Sequence, residues 1–175
     1  MNLSRIAVVV VVGLLAAFPV FAADAVVTMN LVNEQGVGKS IGTITISERP
    51  TGLVFTPQLT DLAPGVHGFH VHQNADCAAG VKDGKTVPGL AAGGHYDPAS
   101  AGKHEGPHGK GHLGDLPPLT VGADGKAVTA VSASRLKMSD VKGRSLMVHA
   151  GGDNYADQPA PLGGGGARVA CGAIN

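Results

Sequence analysis

The chain has 175 residues, with 13 Lys and Arg against 13 Asp and Glu, for a formal net charge of zero. That length supports one domain with a proper core, and the charge balance excludes the basic footprint of a nucleic-acid binder or a polybasic membrane patch. With 27 Gly, 11 Pro, 3% aromatic residues and no Trp, the composition favours short strands and many turns around Val, Ile, Leu and Ala.

Residues 1–22 read as an export signal. Arg5 supplies the positive start, 6–17 is apolar, Pro19 breaks the run, and Val20-Phe21-Ala22 offers a cleavage site. The folded domain is then 23–175, and no membrane contact is expected once the signal is gone. The competing reading is a retained anchor, because the apolar run to Ala23 sits at the lower edge of a membrane span. Cleavage removes Arg5 and leaves 12 basic against 13 acidic residues, a net charge of −1. Export points to the periplasm, an oxidising compartment in which the two cysteines, Cys77 and Cys171, are expected to pair. Closing so long a loop would stabilise the fold by roughly 4–5 kcal/mol on the chain-entropy account. The alternatives, two free thiols or a thiolate metal site, have no Cys-x-x-Cys behind them.

Residues 25–31 (AVVTMNL) predict a strand, 33–38 a turn, and 40–47 (SIGTITIS) a second strand paired to the first as a hairpin. A third short strand runs over 52–55 and is expected to stop before Pro57. Residues 66–73 (VHGFHVHQ) form a strand bounded by Pro64-Gly65 and by Asn74 and Asp76. Residues 74–118 show almost no periodicity. A loop of about 45 residues inside a compact domain needs something to order it, and a disulfide or a metal could. Residues 119–121 and 126–131 flank Gly122-Ala123-Asp124-Gly125 and predict a further hairpin. A short helix is expected over 139–142 with Ser139 as its N-cap. A strand follows over 145–149, then a second loop over 150–166, then a last strand over 168–171. The pattern is all-β: an antiparallel Greek-key sandwich or barrel of about eight strands with two long loops.

Side chains alternate along a strand, so His70 and His72 share one face, about 7 Å apart by strand rise. His67 falls on the other face and reads as a buried, hydrogen-bonded histidine. The long loop adds His95, His104, His108, His112 and Asp115. Imidazoles with a carboxylate make the donor set that zinc takes, and the glycines among them let backbone approach an ion closely. A solvated His-rich loop that scavenges metal loosely is the bland counterpart.

Five motifs then resemble, in order, those of copper-zinc superoxide dismutases: Gly68-Phe69-His70-Val71-His72, Gly93-Gly94-His95-Tyr96-Asp97-Pro98, His112-Leu113-Gly114-Asp115-Leu116, Met147-Val148-His149 and Arg168-Val169-Ala170-Cys171-Gly172. The runs Gly151-Gly152-Asp153-Asn154 and Gly163-Gly164-Gly165-Gly166 resemble the bacterial periplasmic branch, and the likeness spans residues 25–175. The resemblance implies a copper ion on His70, His72, His95 and His149, and a zinc ion on His95, His104, His112 and Asp115, with His95 shared. It implies Arg168 beside copper as the residue that attracts and orients superoxide, Asp153 hydrogen-bonded to His70 and His104, and a Cys77–Cys171 disulfide. His104 is favoured over His108 as the middle zinc ligand, although the interval from His95 is one residue longer than usual. Lys82 and Lys85 are candidates for drawing in an anion. The implied activity is disproportionation of superoxide to oxygen and hydrogen peroxide. The alternative is a copper or zinc carrier without catalysis, and the resemblance leaves both a monomer and a homodimer open.

Overall fold

The computed structural model describes residues 23–175; the expected export signal, residues 1–22, lies outside them. Eleven strands follow in order: β1 (Ala25–Asn33), β2 (Gly36–Arg49), β3 (Gly52–Leu59), β4 (Gly65–His67), β5 (Phe69–His72), β6 (Gly80–Lys82), β7 (Lys85–Val87), β8 (Leu119–Val121), β9 (Val131–Ala133), β10 (Arg144–His149) and β11 (Arg168–Ile174). The main sheet is antiparallel in the order β5-β10-β11-β1-β2-β3-β9, and β4 pairs separately with β8. β4 and β5 are one strand kinked at Gly68, so β8 extends the sheet beyond β5. Past β8 the chain turns and Ala127 bridges Leu59 at the far edge, on β3. The sheet therefore curls back on itself around one core, as a Greek-key barrel in which β10 and β11 return to lie between β5 and β1.

The core follows from alternation. Val27 and Met29 of β1, Ile44 and Ile46 of β2, Leu53 and Phe55 of β3, and Phe69 and Val71 of β5 are all buried in one cluster. Phe55 meets Phe69 edge to face, with ring centroids 5.7 Å apart, a favoured geometry for the ring quadrupoles. Gly42 sits at φ 124, where a Cβ would lie 1.9 Å from the carbonyl oxygen of Gln58. Only glycine lets β2 and β3 meet there.

Several expectations change. The β1–β2 turn is tighter than residues 33–38: Asn33 Oδ1 accepts the Gln35 N–H at 2.9 Å and β2 resumes at Gly36. β3 runs through Pro57 to Leu59. Pro57 has the same parity as Leu59, whose N–H goes to the Ala127 carbonyl on the side away from β2, so the missing donor breaks no bond of the β2–β3 ladder. The turn at 122–125 forms, with the Gly122 N–H on the Lys126 carbonyl at 2.8 Å, but its flanks do not pair with each other. β8 goes to β4 and β9 goes to β3. The helix α1 is Met138–Val141, one residue earlier than expected, with Lys137 and not Ser139 at its N-cap. Asp140 accepts the Lys137 N–H at 2.8 Å, so the reciprocal carboxylate sets the start.

Within residues 74–118 the chain is not devoid of strands. β6 and β7 pair around Asp83 and Gly84, both at positive φ, the conformation a two-residue hairpin turn needs. The disulfide between Cys77 and Cys171, with Cα atoms 5.7 Å apart, closes a span of 94 positions and ties this loop to β11. Around it Val32, Ala92 and Met147 form a second, smaller buried cluster outside the barrel. Among the described residues no helix is long and apolar enough to cross a membrane.

Candidate metal centre

Strand register builds the site. His70 and His72 of β5 lie opposite Met147 and Ser145 of β10, and His149 ends β10 opposite Arg168 of β11. Adjacent strands thus place three imidazoles side by side on the outer face of the barrel, which the two long loops cover. The loop residue His95 joins them through a bridge to His72, and Asp115 through one to His70. All of these, with His104 and His112, are buried.

Two groups of donor atoms converge. One ligand atom each from His70, His72, His95 and His149 lies within 4.8 Å of the others, and so does one each from His70, His95, His104 and Asp115. His112 stands at the edge of the second group, its Nδ1 3.4 Å from Asp115 Oδ1. His95 faces both ways, with Nδ1 2.9 Å from Asp115 Oδ1 and Nε2 turned toward the first group without a partner.

The remaining rings are held from outside. His72 Nδ1 is 3.0 Å from the Gly93 carbonyl, and His149 Nδ1 is 3.1 Å from that of Gly166. Asp153 takes two at once: Oδ2 on His70 Nε2 at 2.8 Å and Oδ1 on His104 Nε2 at 2.7 Å. On a neutral ring such a contact makes the outer nitrogen the N–H donor and leaves the inner nitrogen its lone pair. The inner atoms His70 Nδ1, His95 Nε2 and His112 Nδ1 are buried with no hydrogen-bond partner, and His104 Nδ1 meets only Asp115 Oδ2, at 3.0 Å. Buried polar atoms without partners are rare and costly. Here they gather at two points, the signature of donor sets shaped for cations. An all-imidazole set suits copper, and a mixed imidazole and carboxylate set suits zinc.

Electrostatics separate the rings. Burial pushes His149 down to about 3 and His95 to about 4, with the neighbouring imidazole of His70 adding to the effect in each. His72 and His70 are lowered for the same first reason. His104 differs: burial opposes its charge, but hydrogen bonds to Asp115 and Asp153 prevail and raise it to about 9. Both carboxyls resist burial and stay well below the usual carboxylate range because of those same imidazoles. Without metal, then, His104 is an imidazolium at neutral pH. It contributes stability fully present below about 6.5 and lost as pH rises through about 9. A zinc ion bound by this group would compete with that proton for one nitrogen. Calorimetric titration of the metal-stripped protein in buffers of different ionisation enthalpy is expected to show about one proton released per zinc at pH 7, and progressively less above pH 9. Proton release that does not change across this range would remove the ring from the zinc set.

The other candidates find distinct places. His108 is exposed and joins neither group. His67 is buried, its two ring nitrogens each 2.7 Å from a carbonyl oxygen, those of His149 and Ala63. Lys82 and Lys85 are exposed on β6 and β7. Arg168 is half-buried and donates to the carbonyls of Gly89 and Gly93. Gly93 thus holds both His72 and Arg168 through one oxygen, and the disulfide anchors the loop that carries it. Three supports were not foreseen. They are the backbone acceptors at Gly89, Gly93 and Gly166, which residue type does not reveal; Asp157, whose Oδ2 accepts the His104 N–H at 2.9 Å; and Arg135, which binds loop carbonyls. Asp157, four residues after Asp153 in a loop rich in turn residues, was the one with a visible signal.

Comparison with known proteins follows the same lines. A family model described as copper/zinc superoxide dismutase matches residues 40–174. The superoxide dismutase [Cu-Zn] of Brucella abortus is 58% identical over 161 residues, covering 91% of this chain and 93% of that protein. The solved Cu/Zn superoxide dismutase from Brucella abortus superposes with a TM-score of 0.86 at 56% identity, covering 87% of this chain and 100% of that one. The solution structure of the monomeric copper, zinc superoxide dismutase from Salmonella enterica gives a TM-score of 0.79 at 58% identity, over 87% and 100% of the two chains.

Proposed function

This chain belongs to the copper/zinc superoxide dismutase family, and from that premise we propose how its own residues divide the work. The protein is an oxidoreductase acting on superoxide, with copper and zinc as cofactors. Two superoxide anions and two protons give one oxygen and one hydrogen peroxide. Our assignment puts copper on His70, His72, His95 and His149, and zinc on His95, His104, His112 and Asp115. When bound, copper supplies the one-electron exchange and zinc a fixed positive charge.

The chain's own part is binding, orientation and proton delivery. Arg168 attracts the anion and fixes its orientation, its guanidinium held by two loop carbonyls. His95 is the proton carrier. Its Nδ1 is engaged on the Asp115 side, and its Nε2 is the nitrogen at which a proton can be taken up and passed to the reduced oxygen species. Asp153 joins the two sites by holding one ring of each.

The observation that carries this reading is the pattern of ring nitrogens: the outer ones of His70, His72, His104 and His149 are anchored to protein oxygens, and the buried inner donors gather at two points. The test is a superoxide-removal assay on protein stripped of metal and then reloaded with copper and zinc. Activity is expected only in the reloaded sample. Activity that survives stripping would overturn the copper mechanism, and full metal content without activity would make the protein a carrier. We extend the proposal to location and processing: residues 1–22 direct export, are removed, and leave a periplasmic domain of 23–175. The apolar stretch after Arg5, the disulfide and the bacterial relatives support it.

A further inference from the structure

Between His104 and His112 the chain makes an arc with no strand or helix. The His112 N–H donates to the Lys103 carbonyl at 2.9 Å and closes it. Gly111 permits that closure, since a Cβ there would lie 2.3 Å from the same oxygen. Inside the arc four backbone carbonyls turn toward one side chain, Arg135. Its Nε donates to Pro107 at 3.0 Å, Nη1 to Gly111 at 3.3 Å, and Nη2 to Gly106 at 3.3 Å and to His112 at 2.5 Å. Arg135 itself stands on the barrel, between Ala133 of β9 and Leu136, both buried.

We propose that Arg135 is a positioning residue for zinc, a clamp that fixes the arc in its binding shape before any metal arrives. The inference rests on the zinc assignment above. A planar guanidinium offers five donors in a rigid fork, and the arc supplies four acceptors that would otherwise compete for water. The clamp grips the carbonyl of His112 itself, so the backbone of a ligand at the outer end of the arc is tied to the core. His104, at the inner end, is already held by Asp153 and Asp157. His112 has no such side-chain partner on its outer face, and Arg135 supplies its support through the backbone. Three of the four copper ligands hang on β5 and β10 and do not use this support.

The experiment titrates metal-stripped Arg135→Lys and Arg135→Ala proteins with zinc alone and with copper alone, each against a competing chelator. Zinc affinity is expected to fall by about 10–100-fold in both variants, and copper affinity by less than about 3-fold. Lysine should not rescue, because a point charge cannot reach four carbonyls at once. Hydrogen exchange at the His112 amide of the metal-free variants should quicken. If Arg135→Ala does not fold, Arg135→Lys keeps the charge and the stem and supplies the measurement. Unchanged zinc affinity with only a lower melting temperature would overturn the proposal, as would equal losses of zinc and copper. Failure of the zinc assignment would show separately, as wild-type protein that takes up no zinc, and would sink the clamp with it.

Discussion

Asp153→Ala is expected to weaken copper and zinc binding together, by about 10–100-fold each. Its carboxylate is buried between two rings, 2.8 Å from His70 Nε2 and 2.7 Å from His104 Nε2. Its removal frees both rings to rotate or to take the wrong tautomer, and the inner nitrogens leave their convergence points. The metal-free protein suffers as well. His104 is an imidazolium held by Asp115 and Asp153, and losing one of two counter-charges around a buried cation costs about 3–5 kcal/mol. Asp153→Asn is the sharper variant. An amide keeps one acceptor but turns an N–H₂ toward the other ring, which already presents N–H, so one site should recover and the other should not. Separate chelator titrations for each metal read the outcome. A loss confined to zinc would show that His70 does not need Asp153 and that the two sites are not coupled through it.

Arg168→Ala is expected to lower the rate of superoxide removal by on the order of 100-fold, the usual cost of deleting one pre-set charge-stabilising donor, while leaving metal content unchanged. The guanidinium touches carbonyls and no ligand nitrogen. The rate of the variant should also depend less steeply on salt, because part of the attraction on the incoming anion is gone. Arg168→Lys should recover the attraction better than the orientation, since one ammonium cannot span the Gly89 and Gly93 carbonyls as the fork does. Copper lost in parallel with activity would assign Arg168 to holding Gly93, and through it His72, in place of meeting the substrate.

The alternation of Ser40-Ile41-Gly42-Thr43-Ile44 already pointed to β2, and Val66 to His72 to the kinked strand β4–β5. These signals are local: period two in a half-buried strand survives whatever it pairs with. Partner choice was not local. The turn at 122–125 was recognised, yet its two flanks went to β4 and β3, since a strand joins whichever neighbour covers its apolar face. Pro57 marks a stop in sequence, and only the register reveals that its missing N–H faces away from β2. Asp83-Gly84 is a hairpin signal inside the otherwise aperiodic stretch 74–118, and β6 and β7 pair around it.

Residue chemistry taken alone already narrowed this protein to an all-β sandwich or barrel whose histidines and single carboxylate could hold two kinds of cation, because donor type and strand parity are written in the chain. The tertiary structure decided which nitrogen of each ring faces inward, that His104 is buried while His108 is exposed, and which oxygens fix the rings. Those depend on carbonyls at Gly89, Gly93 and Gly166 and on the reach of Asp153, Asp157 and Arg135 across loops. A backbone acceptor has no residue identity, and a contact between positions 17 to 83 residues apart exists only once the barrel has closed.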